Sequence, residues 1–356
     1  MYRLVQRRGI IGLFCLLFVA SSVVPGWAQK DNRFEVSKNL DIFNSLLKEV
    51  EMFYVDSVDV DKTVQRGIEA MLAGLDPYTE YYPEQKTEEL SLMTTGEYGG
   101  IGSLIRQRNN EGGVMIAEPT EGMPADLAGL KPGDLILAID TIDVSKATNS
   151  RVSELLKGVP NTKMVLTIQR PGEKKPRKFE ITRKQITTPQ VTYYGVKNDS
   201  IGYIYLKAFT IKSAQEVKEA FLDLKKNHNI KSLVLDLRGN GGGVLEGAVQ
   251  IVGMFVPKGS EVLSTKGKIK QWDRTYRTST EPLDTVMPLA ILINGGTASA
   301  AEIVSGSLQD MDRAVLVGQR SFGKGLVQAP RDLPYNGKVK ITMSKYYIPS
   351  GRCIQQ

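Results

Sequence analysis

A serine at the head of a helix and a lysine held between two glycines are the groups in this chain best suited to covalent chemistry. Pro288 to Asn294, PLAILIN, is apolar enough to form a strand in a covered sheet. The turn Gly295-Gly296-Thr297-Ala298 follows, and a helix is expected from Ser299 towards Gln309. A serine there sits beside unsatisfied backbone N–H groups at the positive end of the helix dipole. An oxyanion formed on a bound carbonyl could be stabilised at such a point. Ser321-Phe322-Gly323-Lys324-Gly325 then puts a lysine on a turn or hairpin. Gln328 comes four residues later, on the same face if the chain is extended. A plainer reading competes with this one. Ser299-Ala300-Ala301-Glu302 fits a capping box, serine with glutamate three residues on, and Lys324 is then a solvated turn residue.

The composition narrows the chemistry. With 356 residues the chain has room for two or three domains, and 41% hydrophobic with 24% charged residues is an ordinary soluble balance. The formal charge of +7 falls to +4 once Arg3, Arg7 and Arg8 are set aside with the leader. No basic run or aromatic-basic patch points to nucleic acid. The chain has one histidine, His228, at the end of an amphipathic helix and just before a strand, with no carboxylate evident to orient it. A Ser-His-Asp enzyme would have to use that residue, so a hydrolase built here needs another base. A zinc site of several histidines is excluded, and two distant cysteines cannot replace it. No metal and no cofactor are expected.

Arg3, Arg7 and Arg8 precede the apolar run Ile10 to Val24, and Gly26 and Ala28 supply small residues before a cleavage that leaves Gln29 at the mature end. Residues 1–28 therefore read as a secretory signal peptide. The expected location is outside the cytoplasm, in a bacterial periplasm, with a membrane anchor if the signal stays uncleaved. Only Cys353 would remain in the mature chain, so an internal disulfide is ruled out.

Residues 29–95 read as a helical preface. Leu40, Phe43, Leu46 and Leu47 are helically spaced, as are Val64, Ile68, Met71 and Leu72, and Leu75-Asp76-Pro77-Tyr78 stops the second helix. The preface would serve packing or a homo-oligomer. Residues 96–186 change to short strands and turns. The run Pro124-Ala125-Asp126-Leu127-Ala128-Gly129-Leu130-Lys131-Pro132-Gly133-Asp134 is a short helix, a glycine stop and a Pro-Gly-Asp turn. This segment resembles a PDZ domain, a module that captures extended peptides by strand addition and holds their terminal carboxylate in a glycine-rich loop. The resemblance assigns that loop to Gly100, Ile101, Gly102 and Ser103. The alternative is that these glycines only permit a tight turn.

From residue 187 the order is βαβ. Ile201 to Leu206 and Ser232 to Leu237 are strands, and Val217, Ala220, Phe221 and Leu224 mark one face of the helix between them. This predicts an α/β domain with parallel pairing. Gly239-Asn240-Gly241-Gly242-Gly243 lies between a strand and the helix Val244 to Val256. A dinucleotide loop would need a glycine where Val244 stands, and an N-terminal βαβ cofactor unit is missing. The better reading is an oxyanion-donor loop facing the turn that carries Ser299.

The order of signal peptide, helices, PDZ, Leu235-Asp236-Leu237-Arg238-x-Asn240-x-Gly242-Gly243, Gly296-Thr297-Ala298-Ser299-Ala300-Ala301-Glu302 and Gly323-Lys324-Gly325-x-x-Gln328 resembles the carboxyl-terminal processing peptidases, or tail-specific proteases, over nearly the whole chain. The resemblance implies a multidomain α/β protein whose residues 187–356 form a crotonase-like Ser–Lys serine protease core. It implies Ser299 as nucleophile, Lys324 as general base and Gln328 as the residue orienting the lysine. It assigns the oxyanion hole to the amides of Gly242 and Ala300, with Gly243 as the alternate to Gly242. Lysine ordinarily titrates near ~10.4 and becomes a useful base only when burial lowers its pKa. Phe322 and Leu326 are the expected walls of that pocket. The implied activity is endoproteolysis of protein or peptide substrates with free C-termini. There are departures. The family usually continues past Pro349-Ser350-Gly351-Arg352 with another core strand and a tail, whereas this chain stops at Gln356 as if truncated. Lys157 stands where the family often has arginine. An inactive PDZ adaptor is the competing function. A crotonase-like acyl transferase is a third, against which the PDZ segment argues.

Overall fold

The computed structural model describes residues 32–108 and 112–356. The leader and the expected cleavage before Gln29 lie outside the described residues. The chain divides into two compact units between Ala70 and Met71. In the first unit, helix Arg33–Phe53 has no buried residue, and Leu40, Phe43 and Leu46 are exposed despite their helical spacing. No helix among the described residues is long and apolar enough to cross a membrane.

The second unit holds a sheet of spatial order Val191–Lys197, Ile201–Leu206, Ser232–Asp236, Leu289–Ile293 and Val315–Gly318. The last four strands run parallel, as the βαβ order predicts, while Val191–Lys197 pairs antiparallel at the edge. Helices Ser213–His228, Leu245–Gly253 and Ala300–Asp310 supply apolar faces to one continuous core that includes Phe221, Leu235, Ile251, Ile291, Val304 and Tyr346. Ala300–Asp310 is buried from Ala300 through Leu308 because a second sheet covers it from Glu261–Gly267. That second sheet is Glu80–Tyr82, Lys338–Tyr347, Glu261–Gly267 and Arg274–Arg277, with Leu326–Asp332 also paired to Lys338–Tyr347.

One boundary differs from expectation. The sequence predicts a helical preface to residue 95, yet Glu80–Tyr82 is a strand of the core sheet, in register with Lys340 to Lys338. Asp76 caps the turn before it, accepting from the Tyr78 and Thr79 N–H groups at 2.8 Å, and Thr79 Oγ1 takes the Thr342 N–H at 3.1 Å.

The PDZ sheet runs Ser103–Gln107, Val114–Pro119, Leu135–Ile139, Lys163–Gln169 and Arg177–Thr182, with its own core around Val114, Ile136, Val152 and Leu166. Ser103–Gln107 is an edge strand beside helix Asn149–Leu156. A two-stranded ribbon, Glu97–Gly100 against Lys184–Thr187, carries the chain in and out of this module. Glu97 is bonded to Gln185, Thr187 and Lys212, which ties the ribbon to the start of helix Ser213–His228.

Candidate active site

The strand Leu289–Ile293 ends in a turn stitched to its neighbour. Asn294 Oδ1 accepts the Gly239 and Gly296 N–H groups, Thr297 Oγ1 donates to the Leu237 carbonyl at 2.8 Å, and Ala298 N–H donates to the Asn240 carbonyl at 2.9 Å. Buried Asn240 also donates its side-chain amide to the Leu206 carbonyl. These bonds bring the Gly239–Gly243 loop against the turn that leads into helix Ala300–Asp310.

Ser299 stands at that helix head, partly exposed, with φ 53° and ψ −117°. A left-handed φ is unfavourable for a residue bearing a Cβ and persists only where surrounding bonds enforce it. The capping box read from sequence is present, with the Ser299 N–H donating to Glu302 Oε2 at 2.8 Å. The cap and the partly exposed, strained serine are therefore the same feature.

Gly242 is tight against this serine. A Cβ there would lie 2.7 Å from Ser299 Cβ and 2.8 Å from the Ala300 nitrogen, at φ +93°. Gly242→Ala is thus expected to push the loop off the serine and lower kcat by about 10²-fold, the size of effect that a 1 Å misplacement produces. Steady-state assay of peptide cleavage checks this, with circular dichroism confirming the fold. The Gly242 N–H itself donates to Asn240 Oδ1 at 2.9 Å. Gly243 is held by its neighbours' bonds, Phe209 N–H to the Gly242 carbonyl and Val244 N–H to the Phe209 carbonyl.

Lys324 lies between buried Gly323 and Gly325. Its Nζ is 4.4 Å from the centre of the Tyr78 ring. Burial lowers its pKa from the usual lysine value, the nearby Lys340 ammonium lowers it further, and the Glu80, Asp76 and Glu302 carboxylates pull the other way. The expected pocket wall is corrected here. Phe322 is 51% exposed, so the aromatic face comes from Tyr78, in a segment that reads from sequence only as a helix stop.

Gln328 also departs from expectation. The strand Leu326–Asp332 begins after the lysine, and its register with Lys338–Tyr347 shifts between Val327 and Gln328. The alternation assumed from Lys324 to Gln328 is interrupted, and Gln328 Nε2 donates to Thr342 Oγ1 at 3.2 Å. His228 is exposed, with Nε2 3.9 Å from Asp223 Oδ2. A carboxylate does lie near it, five residues back on the same helix, which the sequence reading missed.

In the PDZ loop, Gly100, Ile101 and Gly102 are buried. The Ile101 and Gly102 carbonyls accept from the Ala125 and Thr120 N–H groups at 2.8 and 2.9 Å, and Ser103 Oγ donates to the Glu118 carbonyl at 3.0 Å. Gly102 adopts φ +67°, and a Cβ there would meet Met123 at 2.4 Å. No group of acidic, histidine and cysteine residues among the described residues could hold a metal ion.

Comparison with known proteins bears on these arrangements. Residues 200–356 match peptidase family S41, and residues 115–170 match the PDZ domain. The chain is 36% identical over 343 residues to a carboxy-terminal-processing protease of Bartonella bacilliformis, covering 96% of this chain and 77% of that protein. It is 33% identical over 320 residues to a probable CtpA-like serine protease of Staphylococcus aureus strain COL, covering 89% of this chain and 62% of that one. A putative S41 protease of Bacteroides fragilis, 17% identical, shares the fold at a TM-score of 0.50 over 80% of this chain and 79% of its own. A partly exposed serine on a buried helix head, a partly buried lysine on a loop whose backbone is bonded to that helix through Glu302 and a PDZ module ahead of the α/β core thus occur in a chain that belongs to the carboxy-terminal-processing protease family, serine-type peptidases of family S41.

Proposed function

We propose that this chain is an exported endopeptidase that holds the C-terminal tail of a protein substrate on its PDZ domain and cuts a peptide bond with a Ser299–Lys324 dyad. The observation that carries the reading is the lysine. Its pKa is lowered, first by burial, which favours the neutral amine, and only a neutral amine can take the serine proton. In the proposed cycle, Lys324 Nζ removes the Ser299 hydroxyl proton as Oγ attacks the substrate carbonyl. The resulting ammonium then gives that proton to the departing amine. Water, deprotonated by the same lysine, hydrolyses the acyl-enzyme ester. The Ala300 N–H at the helix head and the Gly242 amide are assigned to the oxyanion. Because Gly242 N–H is held by Asn240 Oδ1, it serves only when that bond opens, and Gly243 is the alternate donor. Gln328 is assigned to orient the lysine through Oε1, the acceptor end of an amide whose Nε2 is bonded to Thr342. The strained φ of Ser299 supports its role, since such strain gathers at reactive residues.

The substrate tail is assigned to the edge strand Ser103–Gln107, with its carboxylate at Gly100 to Ser103. An edge strand offers unpaired backbone groups for strand addition, and the terminal carboxylate would be satisfied by loop N–H groups. A fluorophosphonate probe tests the nucleophile: it should label Ser299, and a folded chain that stays unlabelled would favour the adaptor. Two peptides of one sequence, free and amidated at the C-terminus, test the tail. The free form should be cleaved faster, and equal cleavage would refute carboxylate recognition. Export into a bacterial periplasm is checked by N-terminal sequencing, which should begin at Gln29.

A further inference from the structure

We propose that Glu302 is a positioning residue whose single buried carboxylate sets the distance between the serine segment and the lysine loop. The inference rests on the dyad reading above and deepens it. Glu302 is 1% exposed. Its Oε2 accepts the Ser299 N–H and the Lys324 N–H, both at 2.8 Å. Its Oε1 accepts the Ser321 hydroxyl at 2.6 Å and the Gly323 N–H at 2.7 Å. A carboxylate has about four lone-pair sites, and these four donors fill them. A helix cap needs only the Ser299 bond; the other three come from the loop carrying Lys324. Among the described residues no cation forms a salt bridge with Glu302, so its charge is balanced by these donors and by the helix N-terminus.

The opposite side of the same junction is held by Tyr346, which is also buried. Its single O–H is shared between the Lys324 carbonyl at 2.6 Å and the Ser299 carbonyl at 3.2 Å. Phe322 N–H adds a bond to the Thr297 carbonyl at 2.9 Å. The serine and lysine backbones are thus bracketed through their N–H groups by an anion and through their carbonyls by a hydroxyl. A glutamine at 302 would present one oxygen and one NH2 group, so two of the four donors would face a donor. The loop would have to move away.

The test is Glu302→Gln in the full chain, measured by peptide kcat and KM and by the rate of fluorophosphonate labelling. Both kcat and the labelling rate are expected to fall by about 10²-fold, with KM within about threefold, as loss of reactive geometry rather than of substrate binding requires. The pH profile adds a readout that a purely structural role would not move. The titratable and charged groups facing Lys324 are Tyr78, Lys340, Glu80, Asp76 and Glu302. Removing the Glu302 anion should shift the acid limb of kcat/KM to lower pH, whereas Tyr346→Phe should lower kcat without moving that limb. A folded Glu302→Gln chain with kcat unchanged overturns the proposal, as does an acid limb that stays in place. Should Glu302→Gln not fold, Ser321→Ala removes one donor and is expected to lower kcat about fivefold; an unchanged kcat there also overturns it. Activity retained in Lys324→Ala would instead remove the dyad reading itself. An inactive Lys324→Ala beside a full-rate Glu302→Gln would remove only the clamp.

Discussion

Ser299→Ala and Lys324→Ala are each expected to lower peptide hydrolysis by about 10⁴- to 10⁶-fold, and the double variant should be little worse than either. The pair acts as one unit: without the base the hydroxyl keeps its proton, and without the hydroxyl the base has nothing to activate. Lys324→Arg sharpens the test. Arginine keeps the positive charge but cannot give up its proton in a protein, so it should be as inactive as alanine if Lys324 is a base. Kcat for a fixed peptide, measured on folded variants, decides the matter, and near-normal turnover in any one of them refutes the dyad. A stability effect of opposite sign accompanies this loss. The folded pKa of Lys324 lies below its unfolded value, so the unfolded chain binds more protons between the two values and stability rises with pH across that window. Lys324→Met should therefore melt higher than the parent at neutral pH, by about 2 °C for a chain of this size. The advantage should vanish above the unfolded lysine pKa near ~10.4. Differential scanning calorimetry at neutral and alkaline pH measures it.

Asp134→Ala is expected to destabilise the PDZ module by about 3 kcal/mol, the order seen when one partner of a buried ion pair is removed. Asp134 has no exposed side-chain surface, and Arg170 grips both of its oxygens at 2.8 Å while the Lys131 N–H bonds it at 2.8 Å. Removing the carboxylate leaves a guanidinium in a nearly closed site and an open Pro-Gly-Asp turn. Burial alone would raise the Asp134 pKa, but the bonds and charge of Arg170 outweigh it and hold the carboxyl below its usual value. A depressed folded pKa means that the pair's stabilisation is complete above the unfolded value near ~3.9 and is lost as pH falls through the folded one. Hydrogen exchange along Lys163–Gln169 should be faster in the variant at neutral pH and depend less on acid. Unchanged protection would count against the pair.

The signals that proved legible in the sequence were those written in backbone punctuation. Pro132-Gly133-Asp134, Gly241-Gly242-Gly243 and Gly295-Gly296 each mark a place where the chain must turn or be approached closely, and periodicity then gave the elements between them. The parallel sheet followed from the βαβ order in the same way. Glu80–Tyr82 was illegible because three residues carry no period; they form a strand only because Lys338–Lys340 offers an edge. The Tyr78 wall over Lys324 was hidden for the same reason. Ser299's left-handed backbone could not be read at all, since serine has no preference for it. It is imposed by the Glu302 bond and the neighbouring turn, and a capping pattern gives no hint that the same carboxylate reaches the lysine loop.

The ribbon that joins the PDZ module to the core has a mechanical consequence. Both of its strands are hydrogen-bonded to each other, so the module is mounted on a stiff stalk rather than hung from two loose strings. At its foot, Thr188 N–H bonds the Gly96 carbonyl and Ile211 N–H bonds the Thr94 carbonyl. Two residues further back, Phe209 is bonded to Gly242 and Val244, and Gly242 touches Ser299. A continuous run of backbone hydrogen bonds and close packing thus leads from the foot of the stalk, past Phe209, to the loop that abuts the serine.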